Sequence, residues 1–281
     1  MPRAALNHLA PGPQFVTTWA YDPPGGGPRF DGRLESNVVT IHDARPLVSE
    51  LALDIHGFTL LAHHSAVNDF WDDDELRTVY FPEAEALACA ATGATSARVF
   101  DHTLRRRASQ RPPLDGTGGS FAAVREPVGR VHVDYTPTSA PTRLRQVCGP
   151  GEAEHRLQRR YAIIGLWRPT GAQPLRDAPL ALCDARSLQA GDLVRNRLVY
   201  RDRIGETYIG RHRAAHRWYW FPQQRRDDVT VFKHFDSAAL DARGSTIAAA
   251  APHTAFEDPA TPADAPPRES VELRVLVFFD A

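Results

Sequence analysis

Along this chain the apolar residues fall in short runs, many alternating with polar positions, and the runs are separated by Gly, Pro and Asp. A period of two sends successive side chains to opposite faces of a strand, so such runs predict strands with one or both faces buried. The strongest lie at residues 96–102, 130–135 (RVHVDY), 161–167 (YAIIGLW), 180–183, 192–200, 216–221 (HRWYWF), 228–235 (DVTVFKHF) and 270–279 (SVELRVLVFF). Many short strands in succession predict a mainly β sandwich, barrel or jelly roll with flanking helices, in place of alternating βαβ units. The best helix lies at 72–92, where acidic residues crowd the start of DDDELRTVYFPEAEALACAAT and Pro82 must break or restart it. Residues 22–32 (DPPGGGPRFDG) read as a turn-dense surface segment. Residues 105–120 (RRRASQRPPLDGTGGS) read as a basic Gly/Pro-rich loop, either a lid over a site or a solvated connector.

A length of 281 residues suffices for a full core, and an elaborated β-domain of this size is ordinary. One domain over 1–281 is therefore expected, with a β core from about 96 to 281 and a helix-bearing extension over 1–95. Apolar residues make up 42% and charged residues 24%, which places the chain among globular proteins. A formal net charge of -1 leaves no electrostatic footprint for nucleic acid or an anionic membrane, so a small-molecule substrate is favoured. Cys89, Cys148 and Cys183 are odd in number and lack CxxC spacing, which disfavours a disulfide framework or thiolate zinc site. Without an apolar leader or a run long enough to span a bilayer, the chain is expected in the cytoplasm. The oligomeric state stays open, a homodimer included.

The chemistry centres on His132-Val133-Asp134. In a strand, residues i and i+2 share a face, so the imidazole and carboxylate can reach one point while Val133 packs behind. With a second, distant imidazole, this makes the two-histidine, one-carboxylate facial triad of non-haem Fe(II), which leaves three positions for a co-substrate and O2. Near the C-terminus, Arg268 and Ser270 again share one strand face. A guanidinium fork with a hydroxyl two residues on is a receptor for a carboxylate, as a dicarboxylate chelating iron at its other end requires.

The blocks HVDYT (132–136), VFDHTLRR (99–106), LWRP (166–169), PLALCD (179–184), HRWYWF (216–221), FKHFDS (232–237), PHTAF (252–256) and PRESVELRVLVFF (267–279) resemble, in order and joint presence, one group of iron/2-oxoglutarate oxygenases. That group includes the cephamycin-pathway cephem hydroxylase component and fungal gibberellin-desaturase-like enzymes. The resemblance implies a double-stranded β-helix (jelly roll, cupin-like). It also implies Fe(II), 2-oxoglutarate and O2, and oxidation of an unactivated C–H bond in specialised metabolism by hydroxylation, desaturation or oxidative cyclisation. The third ligand is assigned to His253, which sits in PHTAF, fifteen residues before Arg268. His234, followed by Arg243 and Ser245 in a segment without strand alternation, and His216, in the aromatic HRWYWF, are the alternatives. Substrate contacts are expected from Tyr135, Arg168, His216 and Trp218, each weighed against a core or structural role. His56, His63 and His64 have no carboxylate at a matching spacing and read as ordinary polar histidines. Two rivals stay open: an Fe(II) oxidase of this fold that needs no 2-oxoglutarate, and a non-catalytic jelly roll that binds a small molecule or metal.

Overall fold

The computed structural model describes residues 1–114, 125–240 and 245–280. Its first strands are β1 (Arg3–Leu9), β2 (Phe15–Trp19), β3 (Leu34–Asp43), β4 (Phe58–Ala62), β5 (Ser96–Arg106), β6 (His132–Val133) and β7 (Tyr161–Pro169). They are followed by β8 (Leu180–Cys183), β9 (Leu193–Val199), β10 (Ile204–Gly210), β11 (Trp218–Trp220), β12 (Asp228–Asp236), β13 (His253–Ala255) and β14 (Glu269–Phe278). One sheet runs β1-β3-β11-β8-β13-β6-β10-β9-β2 and the other β4-β12-β7-β14-β5. The two face each other as a jelly roll, and the site lies between them.

The smaller sheet shows how sequence sets the faces. Along β14, Val271, Leu273, Val275 and Val277 point outward into an apolar cluster with Tyr80, Ala84 and Ala88. Residues 268, 270, 272 and 274 take the opposite, cavity-facing side, as the period of two requires. Each fully buried Val or Leu of the outer cluster contributes about 1.5–3 kcal/mol. The helical layer over this face thus anchors the strand whose polar side builds the site. Inside, Phe58, Trp167, Leu180, Leu182, Phe221 and Phe232 form a second buried cluster.

The helix expected at 72–92 is continuous. Asp72 caps its start by accepting from the Asp74 and Glu75 amides. Pro82 does not break it: the chain widens into a π-helical turn over Leu76–Tyr80, and Pro82 enters the first turn of the segment Phe81–Thr92, where a missing N–H is tolerated. The N-terminal extension holds these helices and also four strands, three of which join the larger sheet. Arg105 and Arg106, placed in a loop by sequence, are the last residues of β5, and residues 115–120 of the expected lid lie outside those described. No helix among the described residues is long and apolar enough to cross a membrane.

Gly165 shows how tightly the cavity floor is filled. It pairs with Phe232 on β12 and Arg274 on β14, and a Cβ there would lie 2.6 Å from the Phe232 ring and 2.7 Å from His234 Nε2. Gly165→Ala is expected to lower stability by about 1–3 kcal/mol through overpacking, read as a drop in Tm. An unchanged Tm would mean that the two rings can move aside freely.

Candidate active site

β6 and β13 are neighbours in the larger sheet, and His132 and His253 are direct partners in their ladder. Their ring centroids lie 4.3 Å apart. Each ring is fixed in the same way: His132 Nδ1 lies 2.9 Å from the Arg130 carbonyl and His253 Nδ1 3.1 Å from the Ala251 carbonyl. With Nδ1–H donating to a carbonyl, the Nε2 lone pair is left for a ligand. His132 Nε2 lies 3.5 Å from Asp134 Oδ1, and His253 Nε2 is buried with no hydrogen-bond partner. Two aimed imidazole nitrogens and one carboxylate oxygen fit a metal ion of the Fe(II) or Zn(II) type.

The smaller sheet supplies the opposite wall. Arg274 Nε donates to Asp134 Oδ2 at 2.6 Å, while its Nη1 donates to Asp101 and Thr103. One Asp134 oxygen is thus tied down and the other faces His132. Burial pushes the Asp134 carboxyl up, but Arg274 and then the surrounding histidines outweigh it and hold it well below the usual range. Burial, reinforced by His132 and His234, lowers His253 to about 3, so its ring is neutral and able to ligate. Replacing Arg274 with Met is expected to weaken metal affinity roughly 10–100-fold, as loss of an outer partner of a ligand does. Chelator competition on the folded variant measures this, and an unchanged affinity would show that Asp134 needs no such support.

His234 enters the same cavity. β12 carries an extra residue between Lys233 and Phe235, and such bulges re-aim a side chain. His234 Nδ1 lies 3.7 Å from Asp134 and Nε2 3.3 Å from Glu272. Ligand atoms of Asp134, His234, His253 and Glu272 all fall within 4.8 Å of one another. Sequence reasoning weighed His234 only as a rival ligand and did not single out Glu272, Arg274 or Trp167.

Arg268 and Ser270 head β14 on the cavity side, both buried. Arg268 Nε donates to Ser270 Oγ at 3.0 Å and Nη1 to the Ala178 carbonyl at 2.8 Å, and its guanidinium lies 5.0 Å from the Trp167 ring centre. Of the remaining expected contacts, Arg168, His216 and Trp218 lie outside the cavity and Tyr135 stands beside His234 at its edge. Arg168 falls one residue out of phase with inward Trp167, so it is buried under the helical layer, stacked on Tyr80 and bonded to His63. Trp218 likewise alternates with inward Tyr219 and packs with Ala181, Cys183 and Phe256 on the far face of the larger sheet. His216 pairs with Asp192 at 2.9 Å, away from the cluster. Tyr135 packs among Ala140, Leu144, Ile163 and Phe235, its ring 6.2 Å from that of His234.

A jelly roll whose cavity gathers the His132–His253 pair with His234 and the carboxylates of Asp134 and Glu272 is compatible with the class of metal-dependent oxygenases. Comparison with known proteins agrees. A family model described as an oxidoreductase/YMDC permease-like domain matches residues 6–278. The Fe(II)/2-oxoglutarate-dependent dioxygenase nvfI of Aspergillus novofumigatus is 32% identical over 247 residues, covering 85% of this chain and 82% of that protein. The alpha-ketoglutarate-dependent dioxygenase phiK of a fungal species is 31% identical over 253 residues, covering 88% and 85%. The solved structure of the iron and alpha-ketoglutarate-dependent endoperoxidase NvfI superposes with a TM-score of 0.84 at 27% identity, over 99% of this chain and 97% of that one. The chain belongs to the Fe(II)/2-oxoglutarate-dependent dioxygenases, and its cofactor and co-substrates are Fe(II), 2-oxoglutarate and O2.

Proposed function

We propose that residues 1–281 form one catalytic domain in which His132, Asp134 and His253 hold Fe(II), while Arg268 and Ser270 hold the distal carboxylate of 2-oxoglutarate. The substrate is a small molecule of specialised metabolism, oxidised at an unactivated C–H bond. Relatives described as hydroxylase/desaturase and endoperoxidase support that range of outcomes. The observation that supports the metal assignment is the matched pair of histidines, each with Nδ1 on a backbone carbonyl, with His132 Nε2 3.5 Å from Asp134 and His253 Nε2 buried without a hydrogen-bond partner. The other donor set, Asp134, His234, His253 and Glu272, would occupy four of six positions and leave two. A chelating keto acid and O2 need three. His234 also has both nitrogens turned to carboxylates and neither fixed by a carbonyl.

Fe(II) with 2-oxoglutarate and O2 supplies oxidative decarboxylation to succinate and CO2, coupled to oxidation of the substrate. The chain's own residues do the positioning. Arg274 orients Asp134, the two backbone carbonyls orient the rings, and Trp167 and Phe232 line a dry floor under them. Three free thiols, Cys89, Cys148 and Cys183, support a reducing, cytoplasmic location. The test is anaerobic metal loading followed by succinate assay. One Fe(II) per chain and succinate release that needs both 2-oxoglutarate and O2 are expected. Turnover without 2-oxoglutarate would favour the oxidase reading, and no metal uptake the non-catalytic one.

A further inference from the structure

Arg105 is a second buried guanidinium on the cavity side of the small sheet, directly opposite Ser270 in the β5–β14 ladder. It shares its strand face with Thr103, which hydrogen-bonds Arg274, and with Arg107 beyond the strand end. The contrast with Arg107 is informative. Arg107, equally buried, is neutralised by Asp177 and Glu257. Arg105 donates from Nη1 to the Glu126 carbonyl and has no ion-pair partner among the described residues. The same holds for the Arg268 guanidinium, which donates to the Ser270 hydroxyl and the Ala178 carbonyl, while only the backbone N–H of Arg268 reaches the Asp177 carboxylate.

Two buried cations therefore stand near each other with no ion-pair partner among the described residues, Glu272 being a buried carboxylate that acts on both without pairing with either. The register sets their proximity, Arg105 lying opposite Ser270 and the Arg107 amide donating to the Arg268 carbonyl; burial and then Arg105 push the Arg268 guanidinium down to about 9, with Glu272 and Asp177 opposing. Burial lowers Arg105 to about 10, with Glu272 and Asp134 opposing and Arg274 adding to the fall. An uncompensated buried charge is costly, and two adjacent ones more so, unless a bound anion completes the pair. Nothing in the triad, Arg268 or Ser270 accounts for a second cation here.

Resting on the reading that Arg268 receives 2-oxoglutarate, we propose that Arg105 is a second binding residue for the same distal carboxylate, so that two guanidiniums from neighbouring strands clamp it. The carboxylate has two oxygens with about four acceptor sites, enough for both forks and the Ser270 hydroxyl. A clamp of this kind selects a dicarboxylate over a keto acid that lacks the distal charge.

The probes are 2-oxoglutarate and 2-oxobutyrate, which keeps the keto-acid end and lacks the distal carboxylate. Each is titrated by calorimetry into anaerobic, Fe(II)-loaded protein. Arg105→Gln is expected to weaken 2-oxoglutarate by about tenfold or more while leaving 2-oxobutyrate within about threefold. Arg105→Lys should recover part of the loss, since charge without the fork is a weaker clamp. A folded Arg105→Gln protein that binds 2-oxoglutarate within about twofold of wild type overturns the proposal. Equal losses for both probes also overturn it, because they place Arg105 on the keto-acid end. Should Arg105→Gln fail to fold, Arg268→Ala decides: with Arg105 intact it should still prefer 2-oxoglutarate by about threefold or more, and no residual preference ends the idea. Wild-type protein that binds neither probe would instead reject the underlying reading of Arg268.

Discussion

Arg268→Ala is expected to raise the apparent KM for 2-oxoglutarate by at least about 30-fold while Fe(II) affinity stays near wild type. The physical ground is that a fully buried carboxylate loses its charge-assisted partner, which typically costs about 2–5 kcal/mol. At about 1.4 kcal/mol per tenfold, that is roughly 30- to 4,000-fold in affinity. Arg268 makes no contact with His132, Asp134 or His253 among its hydrogen bonds, so metal binding is spared. Arg268→Lys recovers little: the ammonium keeps the charge but loses the planar fork that reaches Ser270 and Ala178 together and stacks over Trp167. The measurement is steady-state succinate release against 2-oxoglutarate concentration, with metal content determined on the same samples. Unaltered 2-oxoglutarate dependence in Arg268→Ala would make the C-terminal Arg-x-Ser structural.

Strand parity explains both what was legible in the sequence and what was not. His132 and Asp134 could be placed on one face because the run around them alternates, and β14 alternates so regularly that Arg268 and Ser270 followed from the same rule. That rule extends two and four residues further, to Glu272 and Arg274, and the signal for both was present in RESVELR. Arg105 was harder. The polar inward face of Thr103, Arg105 and Arg107 looks like a loop to any reading based on apolar periodicity, so β5 was ended four residues early. HRWYWF is aromatic on both faces, which hides its parity: Tyr219 and Phe221 join the inner cluster, and Trp218 and Trp220 pack outside. Arg168 lies in a run that is apolar on both sides of Trp167, and nothing local says which side meets helices and which meets the cavity. β13 is three residues long and β3 is half exposed, too short and too wet to stand out.

Loss of any one ligand should have the largest effect of all. His132→Ala, Asp134→Ala and His253→Ala are each expected to abolish stoichiometric Fe(II) binding and succinate production, a larger loss than the roughly 10–100-fold from removing an outer partner such as Arg274. On the proposed assignment three donors would hold the ion, and removing one would leave only two. The removal also has different side effects at each position. Asp134→Ala leaves the Arg274 guanidinium without its 2.6 Å partner in a buried wall, so that variant should also lose stability. His253→Ala instead removes a neutral ring whose Nε2 has no protein partner, so the metal-free variant should keep a Tm close to that of the metal-free wild type, apart from the small cavity left behind. His234 is the internal control, because it lies in the same cavity with both nitrogens facing carboxylates. His234→Gln should still bind one Fe(II) per chain, by anaerobic loading and metal analysis. If His234→Gln loses the metal and His132→Ala keeps it, the ion belongs to the Asp134, His234, His253 and Glu272 group, and the strand pair β6–β13 is not its seat.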